Sequence, residues 1–171
     1  MLQECNSTKG LRVKRHDVVD QQCNKWITDK GFETAKEPEI RSRVDGNVYK
    51  PDRLYFSPGS DTLYVLDWTV PYETSRDSLH SAEKRKVEKY SPLKDDVLNR
   101  AKTLFPGRSF NKVTFKGIAF GARGAILPQT REFLHKNMGM SKNCISWIQH
   151  RVAQKSIGMM KCFFAGNRGV D

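Results

Sequence analysis

The spacing of apolar residues along this chain changes between helical and strand periods, which predicts strands between helices. Residues 17–30 carry apolar side chains three and four positions apart and end before Gly31, so they predict a first amphipathic helix. A turn-forming cluster at residues 57–61 separates segments rich in β-forming residues. The predicted strands span residues 32–41, 48–56 and 62–70. The third strand is apolar on both faces, as a central strand would be.

The second half of the chain predicts helices around one further strand. A helix is predicted from a cap at Thr74 or Ser75 to about Tyr90, and Ser91 with Pro92 can start another. The later elements are a strand at residues 112–120, which a glycine-rich turn follows, and helices at residues 128–137 and 141–154. The predicted order of elements is therefore α-β-β-β-α-β-α.

These elements indicate one α/β domain with a mixed central sheet flanked by helices. A length of 171 residues suits a single domain. We expect a core over about residues 12–127 and a basic helical part over about residues 128–171. No stretch is long and apolar enough to span a membrane, and the N-terminus lacks the apolar segment of a signal peptide. We therefore expect a soluble, intracellular protein that does not bind a membrane.

Cysteines and tryptophans favour ordinary structural roles. The cysteines lack the close spacing of a zinc site and are expected to be reduced: Cys5, Cys23, Cys144 and Cys162. The tryptophans fall in apolar patterns and are expected in the core rather than in base stacking: Trp26, Trp68 and Trp147.

Positive charge is concentrated in the last part of the chain. The net charge is +11, and residues 101–171 contain 12 Lys and Arg against two acids, so +10 of it lies there. A field of one sign attracts polyanions, which makes nucleic acid the expected partner. A basic face that only aids solubility is the alternative, although such surfaces usually mix both signs.

Two aspartates lie in unusual positions for a sheet. Asp52 opens one predicted strand directly after Pro51, and Asp67 lies inside the most apolar strand. Burying a carboxylate among apolar neighbours is costly unless a cation or metal pairs with it. The turn at residues 57–61 makes the two strands adjacent and antiparallel, so both carboxylates can reach one end of the sheet. Two hard oxygen ligands suit Mg²⁺ or Mn²⁺.

Helical spacing adds a lysine to this pair. Leu79, Ala82, Lys86 and Tyr90 share one face of the predicted helix, so Lys86 faces the sheet and needs an anion there. The aspartate pair is the expected anion, and Lys89 at the edge of the same face is the second choice. Two acids and a lysine are the minimum equipment for metal-assisted phosphodiester hydrolysis. Without catalysis, the same residues would form a buried salt-bridge triad.

Five segments of the chain form an ordered set of motifs. They are Arg15-His16-Asp17, Glu37-Pro38-Glu39-Ile40-Arg41, Lys50-Pro51-Asp52, Val65-Leu66-Asp67-Trp68-Thr69-Val70 and Lys86-Val87-Glu88-Lys89-Tyr90. In this order they resemble the restriction-like endonuclease domain, of the PD-(D/E)xK class, from polyproteins of site-specific non-LTR retrotransposons. The resemblance covers roughly residues 12–95.

The resemblance implies a restriction-endonuclease-like core, shared with type II restriction enzymes and archaeal Holliday junction resolvases. It makes Asp52 and Asp67 ligands of Mg²⁺ or Mn²⁺ and a lysine of the last segment the third catalytic residue. The usual acid-x-lysine pair would put lysine where this chain has Thr69. The family moves that lysine onto the following helix, which agrees with Lys86 and leaves Lys89 as the alternative.

Further side chains are candidates around this site. Glu39 could add a third carboxylate to the metal or be an ordinary exposed residue. Tyr90 could pack beside the lysine or hydrogen-bond to the site. The candidate DNA contacts are Arg15, His16, Arg41, Lys50 and Arg123. Each of them would look the same in sequence if it were only a solvated or capping residue.

Residues and resemblance together predict a metal-dependent endonuclease that hydrolyses one phosphodiester of double-stranded DNA. The resemblance further implies that the nick frees a 3′-hydroxyl for target-primed reverse transcription, in the nucleus. It also implies that the chain is part of a larger polyprotein that binds element RNA, with a dimer left open. One alternative is a structure-specific resolvase or repair-type nuclease, which would prefer branched DNA. A non-catalytic DNA-binding module is the other, and it would tolerate loss of Asp67.

Overall fold

A four-stranded mixed sheet forms the centre of the protein, in a computed structural model that describes the backbone of residues 9–166 and the side chains of residues 10–165. The strands are β1 (Glu33–Lys36), β2 (Ile40–Arg41), β3 (Val48–Tyr49), β4 (Arg53–Phe56), β5 (Thr62–Thr69) and β6 (Lys112–Ala119). The helices are α1 (Lys9–Thr28), α2 (Ser78–Tyr90), α3 (Lys94–Leu104), α4 (Pro128–Lys136) and α5 (Lys142–Gly166). A 3₁₀ turn at Ser91–Leu93 joins α2 to α3.

The sheet has the order β1-β4-β5-β6. Neighbours are antiparallel up to β5, and β5 pairs with β6 in parallel. The crossover between the parallel strands runs through α2 and α3, as a parallel connection requires. An α/β domain with a mixed sheet flanked by helices is thus confirmed.

Two predicted strands are each broken in two, which corrects the predicted order. The segment 32–41 divides into β1 and β2 at Glu37, whose φ of 42° leaves the extended region. The segment 48–56 divides into β3 and β4 around Pro51, which has no N–H to donate to a ladder. The outer pieces, β2 and β3, pair with each other as a separate two-stranded ribbon.

The hydrophobic core occupies both faces of the sheet. On one face Leu66 and Trp68 of β5 pack against residues of α1, α4 and α5. On the other face Leu63 and Val65 pack against Leu93 and residues of α3. Side chains alternate between the faces of a strand, so Asp67 shares the face of Leu63 and Val65. The sheet therefore presents Asp67 toward α2.

Both terminal helices are longer than predicted. The first begins at Lys9 instead of residue 17, and the added turns include Arg15, whose bond to the carbonyl of Val70 is a polar contact that apolar spacing does not reveal. The last continues to Gly166 instead of ending near residue 154. Trp68 lies in the core as expected, whereas Trp147 of α5 is 40% exposed.

Cys23, Cys144 and Cys162 are free thiols, while Cys5 lies outside the described residues. Burial raises the pKa of the Cys23 thiol well above its ordinary value. Within residues 9–166, no helix has the length and apolar character needed to cross a membrane.

Candidate active site

Asp67 is a buried carboxylate on β5, a central strand of the sheet. Its side chain is 5% exposed and forms an ion pair with the ammonium group of Lys86. Its Oδ1 atom receives no hydrogen bond of regular geometry from the described residues. Burial raises the pKa of Asp67, the neighbouring charge of Asp52 raises it further, and Lys86 opposes both effects. The carboxylate is therefore held in an environment that favours an additional cation.

Asp52 lies across the strand pair from Asp67. Arg53 pairs with Leu66, and extending this antiparallel register by one residue sets Asp52 opposite Asp67. Asp52 Oδ2 accepts a hydrogen bond of 2.6 Å from the backbone N–H of Trp68. This bond fixes the direction of the Asp52 carboxylate toward the end of β5.

His16 of α1 joins the same carboxylate. Its Nε2 lies 3.3 Å from Asp52 Oδ2, and this hydrogen bond raises the pKa of the imidazole. His16 was predicted as a contact to DNA phosphate. The structure brings it into the site itself, where its side chain stays partly exposed beside Asp52.

Helix α2 carries Lys86 to the site because β6 leaves room for it. Gly117 is the register partner of Asp67 on β6. A Cβ atom at Gly117 would lie 2.8 Å from Lys86 Cβ and would also collide with the backbone of Glu83. The missing side chain lets α2 approach β6 closely, and Lys86 reaches Asp67 with 30% of its side chain exposed.

Lys89 and Tyr90 occupy the end of α2. The Tyr90 hydroxyl donates to the backbone carbonyl of Lys50 at 3.0 Å and accepts from Lys89 Nζ at 3.0 Å. Tyr90 is buried, and burial raises the pKa of its hydroxyl well above the ordinary value. Tyr90 thus both packs in the core and holds the backbone two residues before Asp52. Of the two candidate lysines, Lys86 is the one that contacts an aspartate.

Two buried acids that the sequence analysis did not consider support the site. Glu83 of α2 accepts hydrogen bonds from Ala119 N–H at 3.1 Å and from the Thr130 hydroxyl at 2.6 Å, which fixes α2 against β6 and α4. Asp20 of α1 accepts from Arg53 Nε at 2.8 Å and Nη2 at 2.7 Å. Asp20 also accepts from Trp68 Nε1 at 3.1 Å.

These two acids could have been found by the pattern that identified Lys86, a charged residue on an apolar helix face. Glu83 falls about 40° from Leu79 in helical projection, inside the same apolar stripe. A charged residue within such a stripe is informative because it needs a buried partner.

Glu39 does not join the two aspartates. It is exposed and pairs with Lys50, whose Nζ lies 2.7 Å from Glu39 Oε1. Arg41 is also exposed, and its guanidinium lies 3.4 Å from the carbonyl of Gly46. No group of three or more His, Cys, Asp and Glu side chains within the described part of the chain is arranged to hold a metal ion. A metal at this site would therefore depend on Asp52 and Asp67.

Arg15 and Arg123, both predicted to contact DNA, line one cavity and do not contact Asp52 or Asp67. Arg15 is buried and donates to Ser156 Oγ at 2.8 Å and to the carbonyl of Val70 at 3.1 Å. Arg123 is exposed, and its backbone N–H donates to both carboxylate oxygens of Glu73 at 3.2 Å. Arg15 thus links α1 to α5, while Arg123 holds the turn after β6.

Comparison with known proteins relates the chain to a retrotransposon. It is 33% identical over 161 residues to the "Retrovirus-related Pol polyprotein from type-1 retrotransposable element R2" of Popillia japonica, covering 88% of this chain and 31% of the relative. This chain is a homologue of an R2 Pol polyprotein. A second protein of the same name and organism is 36% identical over 76 residues, which is 44% of this chain and 12% of that protein. No protein-family model matches the chain.

The matched part of this chain spans about a third of the length of the first relative and about an eighth of the second. Similarity over 88% of the chain extends well beyond residues 12–95, where the motifs of the resemblance lie. It therefore includes part of the basic C-terminal half as well as the sheet.

Proposed function

We propose that this R2 homologue is a metal-dependent DNA endonuclease that nicks one strand by phosphodiester hydrolysis. The observation that supports it best is a buried aspartate on a central strand, Asp67, with Asp52 opposite and Lys86 in contact. The α/β architecture with this site at one end of the sheet is consistent with a restriction-endonuclease-like fold. Homology to a retrotransposon Pol polyprotein supports a role of the nick in retrotransposition.

The two aspartates fit a divalent cation such as Mg²⁺ or Mn²⁺. Mg²⁺ usually binds proteins through one or two carboxylates and completes its shell with water and substrate phosphate. Asp67 Oδ1 is buried in contact with the Lys86 ammonium group, and the charge of Asp52 raises the pKa of Asp67 despite that contact, so one cation does not fully offset the two carboxylates. A cation held by Asp52 and Asp67 would supply polarisation of the phosphate and a lowered pKa for the attacking water.

The remaining groups have roles that follow from their contacts. Lys86 contacts Asp67 and keeps 30% of its side chain exposed, so its ammonium group can orient the attacking water or offset charge that develops on the phosphate. His16 and the Trp68 N–H hold the Asp52 carboxylate in one direction. Positive charge in the C-terminal part attracts the DNA backbone.

We further propose the biological setting that the resemblance implies. The nick would leave a 3′-hydroxyl from which a reverse transcriptase of the parent element primes on element RNA, in the nucleus. Double-stranded DNA is then the substrate, and target choice can come from other parts of a polyprotein.

Nicking of supercoiled plasmid tests the proposal. The wild type is compared with Asp52→Asn, Asp67→Asn and Lys86→Gln, in Mg²⁺, Mn²⁺ or EDTA. The matched control is Asp61→Asn, an exposed aspartate at the opposite end of β5. We expect metal-dependent nicking by the wild type and the control, and loss of nicking in either site aspartate variant. DNA binding without nicking in every metal would instead favour a non-catalytic binding module, and preference for branched DNA would favour a resolvase.

A further inference from the structure

A cavity of about 220 Å³ lies between α1, α5 and the turns that follow β5 and β6. A water molecule takes roughly 30 Å³ of liquid, so the space is large enough for a group bigger than several water molecules. Its walls are mostly apolar and include Ile157 and Met160 of α5. The remainder of the lining consists of Arg15, Tyr72, Arg123 and Ser156. None of these wall residues contributes to the Asp52 and Asp67 site.

An exposed aromatic ring and a cation form one wall of this cavity. Tyr72 is 42% exposed, and the Arg123 guanidinium lies 5.6 Å from the centre of its ring. The base of this wall is fixed, because Glu73 holds the backbone of Arg123 and Gly121 has no side chain to separate them. The guanidinium covers one side of the Tyr72 ring. Unpaired bases stack on the faces of such aromatic rings, and arginine adds cation–π contacts at these sites.

The cavity is adjacent to the candidate active site. Consecutive residues of α1 join the two places, since His16 contacts Asp52 while Arg15 lines the cavity. The carbonyl that accepts from Arg15 belongs to Val70, three residues after Asp67 on the same segment. Tyr72 follows Asp67 by five residues, so the two Cα atoms are at most about 18 Å apart, which is about five nucleotides at 3.4 Å each.

We propose that this cavity receives one unstacked base of the DNA strand near the scissile phosphate. The apolar walls and Tyr72 take the face of the base. Arg15 and Arg123, with Glu73 paired to Arg123, leave a net charge of about +1 that favours the strand carrying it. The inference rests on the proposed function in taking DNA as the substrate. In this proposal Arg15 and Arg123 lie beside a base, rather than contacting only a phosphate.

The test measures binding of fluorescently labelled single-stranded oligonucleotides by anisotropy, in EDTA, so that no cleavage occurs. One oligonucleotide carries thymine bases, and its partner of equal length carries abasic sites. We expect the wild type to bind the base-bearing strand about fivefold or more tightly. Tyr72→Ala should lose this preference, Tyr72→Phe should keep it, and Ile157→Ser at the exposed rim should weaken it.

Trp147→Ala is the matched control. Trp147 is 40% exposed and has Arg151 at 5.3 Å from its ring, yet it lies outside the cavity lining. Its variant should keep the preference. Equal binding of both oligonucleotides by the wild type would overturn the proposal, as would a loss that follows Trp147 instead of Tyr72. Asp67→Asn should keep the wild-type preference, so the readout separates failure of this inference from failure of the nuclease proposal.

Discussion

At the residue scale, two lysines about one helical turn apart differ in what their side chains contact. Lys86 contacts the carboxylate of Asp67, whereas Lys89 donates to the hydroxyl of Tyr90. If the site is catalytic, Lys86→Gln should lower the rate of plasmid nicking by about 100-fold, the scale of removing one charge-stabilising group. Lys89→Gln should leave the rate near wild type. Single-turnover nicking rates in Mg²⁺ compare the two, and the reverse ranking would make Lys89 the functional lysine.

The buried ion pair between Asp20 and Arg53 predicts that removing one of its charges has a large effect on stability. Asp20→Asn leaves the Arg53 guanidinium buried without its counter-charge, so the free energy of unfolding should fall by about 3–5 kcal/mol. The control is Glu33→Gln, which breaks a pair that is half-exposed on both sides, at 3.1 Å from Arg108. That change should cost about 0–1 kcal/mol. Urea unfolding measures both, and equal costs would mean that Asp20 is not a structural anchor.

Individual site residues were predictable where one charged group broke an apolar pattern. Asp67 inside a strand and Lys86 inside a helical stripe were identified this way, and the structure brings them into contact. Arg15 and Glu83 break apolar faces in the same manner but were missed or assigned elsewhere. Glu39 was the opposite case, since only resemblance suggested it and no pattern showed whether its side chain is buried.

At the scale of elements, helix spacing was easier to predict than strand continuity. The face of α2 follows from its period, because Leu79, Ala82 and Tyr90 are buried as predicted. The breaks between β1 and β2 and between β3 and β4 depend on single backbone angles, which apolar alternation does not report. The parallel pairing of β5 with β6 depends on partners distant in sequence, so no local pattern reveals it.

The close contact between α2 and β6 predicts that one methyl group added at Gly117 affects both stability and activity. Gly117→Ala should force α2 away from the sheet, lower the unfolding free energy by about 1–3 kcal/mol, and displace Lys86. A displacement of about 1 Å can cost 100-fold in rate, so nicking should fall further than stability alone explains. Gly158→Ala is the control, because its Cβ meets nothing within 4 Å. Thermal melting and nicking rates of folded protein test this, and wild-type behaviour of Gly117→Ala would show that α2 does not need the glycine.

At the scale of the whole molecule, charge and site are divided between two parts of the chain. Asp52 directly precedes β4, Asp67 lies on β5 and Lys86 lies on α2, whereas +10 of the net charge lies in residues 101–171. Helix α5 has no acidic residue over its whole length. Under the proposed function, this division would separate attraction of the DNA from the chemistry on it.

That separation can be tested by the salt dependence of DNA binding. Each phosphate contact that is lost should reduce the slope of log affinity against log salt by about 0.9. Lys155→Gln with Lys161→Gln removes two exposed charges from α5, so the slope should fall by up to about 1.8 if both contact DNA. Lys25→Gln with Lys94→Gln removes two exposed charges from the balanced part of the chain and should change the slope little.

Nicking at saturating DNA should be unchanged in the α5 variant, because its lysines take no part in hydrolysis. Anisotropy titrations at several salt concentrations measure the slopes, and nicking at saturating DNA measures the chemistry. Equal slope changes in the two double variants would mean that net charge alone attracts DNA. A loss of nicking at saturation in the α5 variant would instead mean that α5 positions the strand at Asp67, and attraction and chemistry would then share one surface.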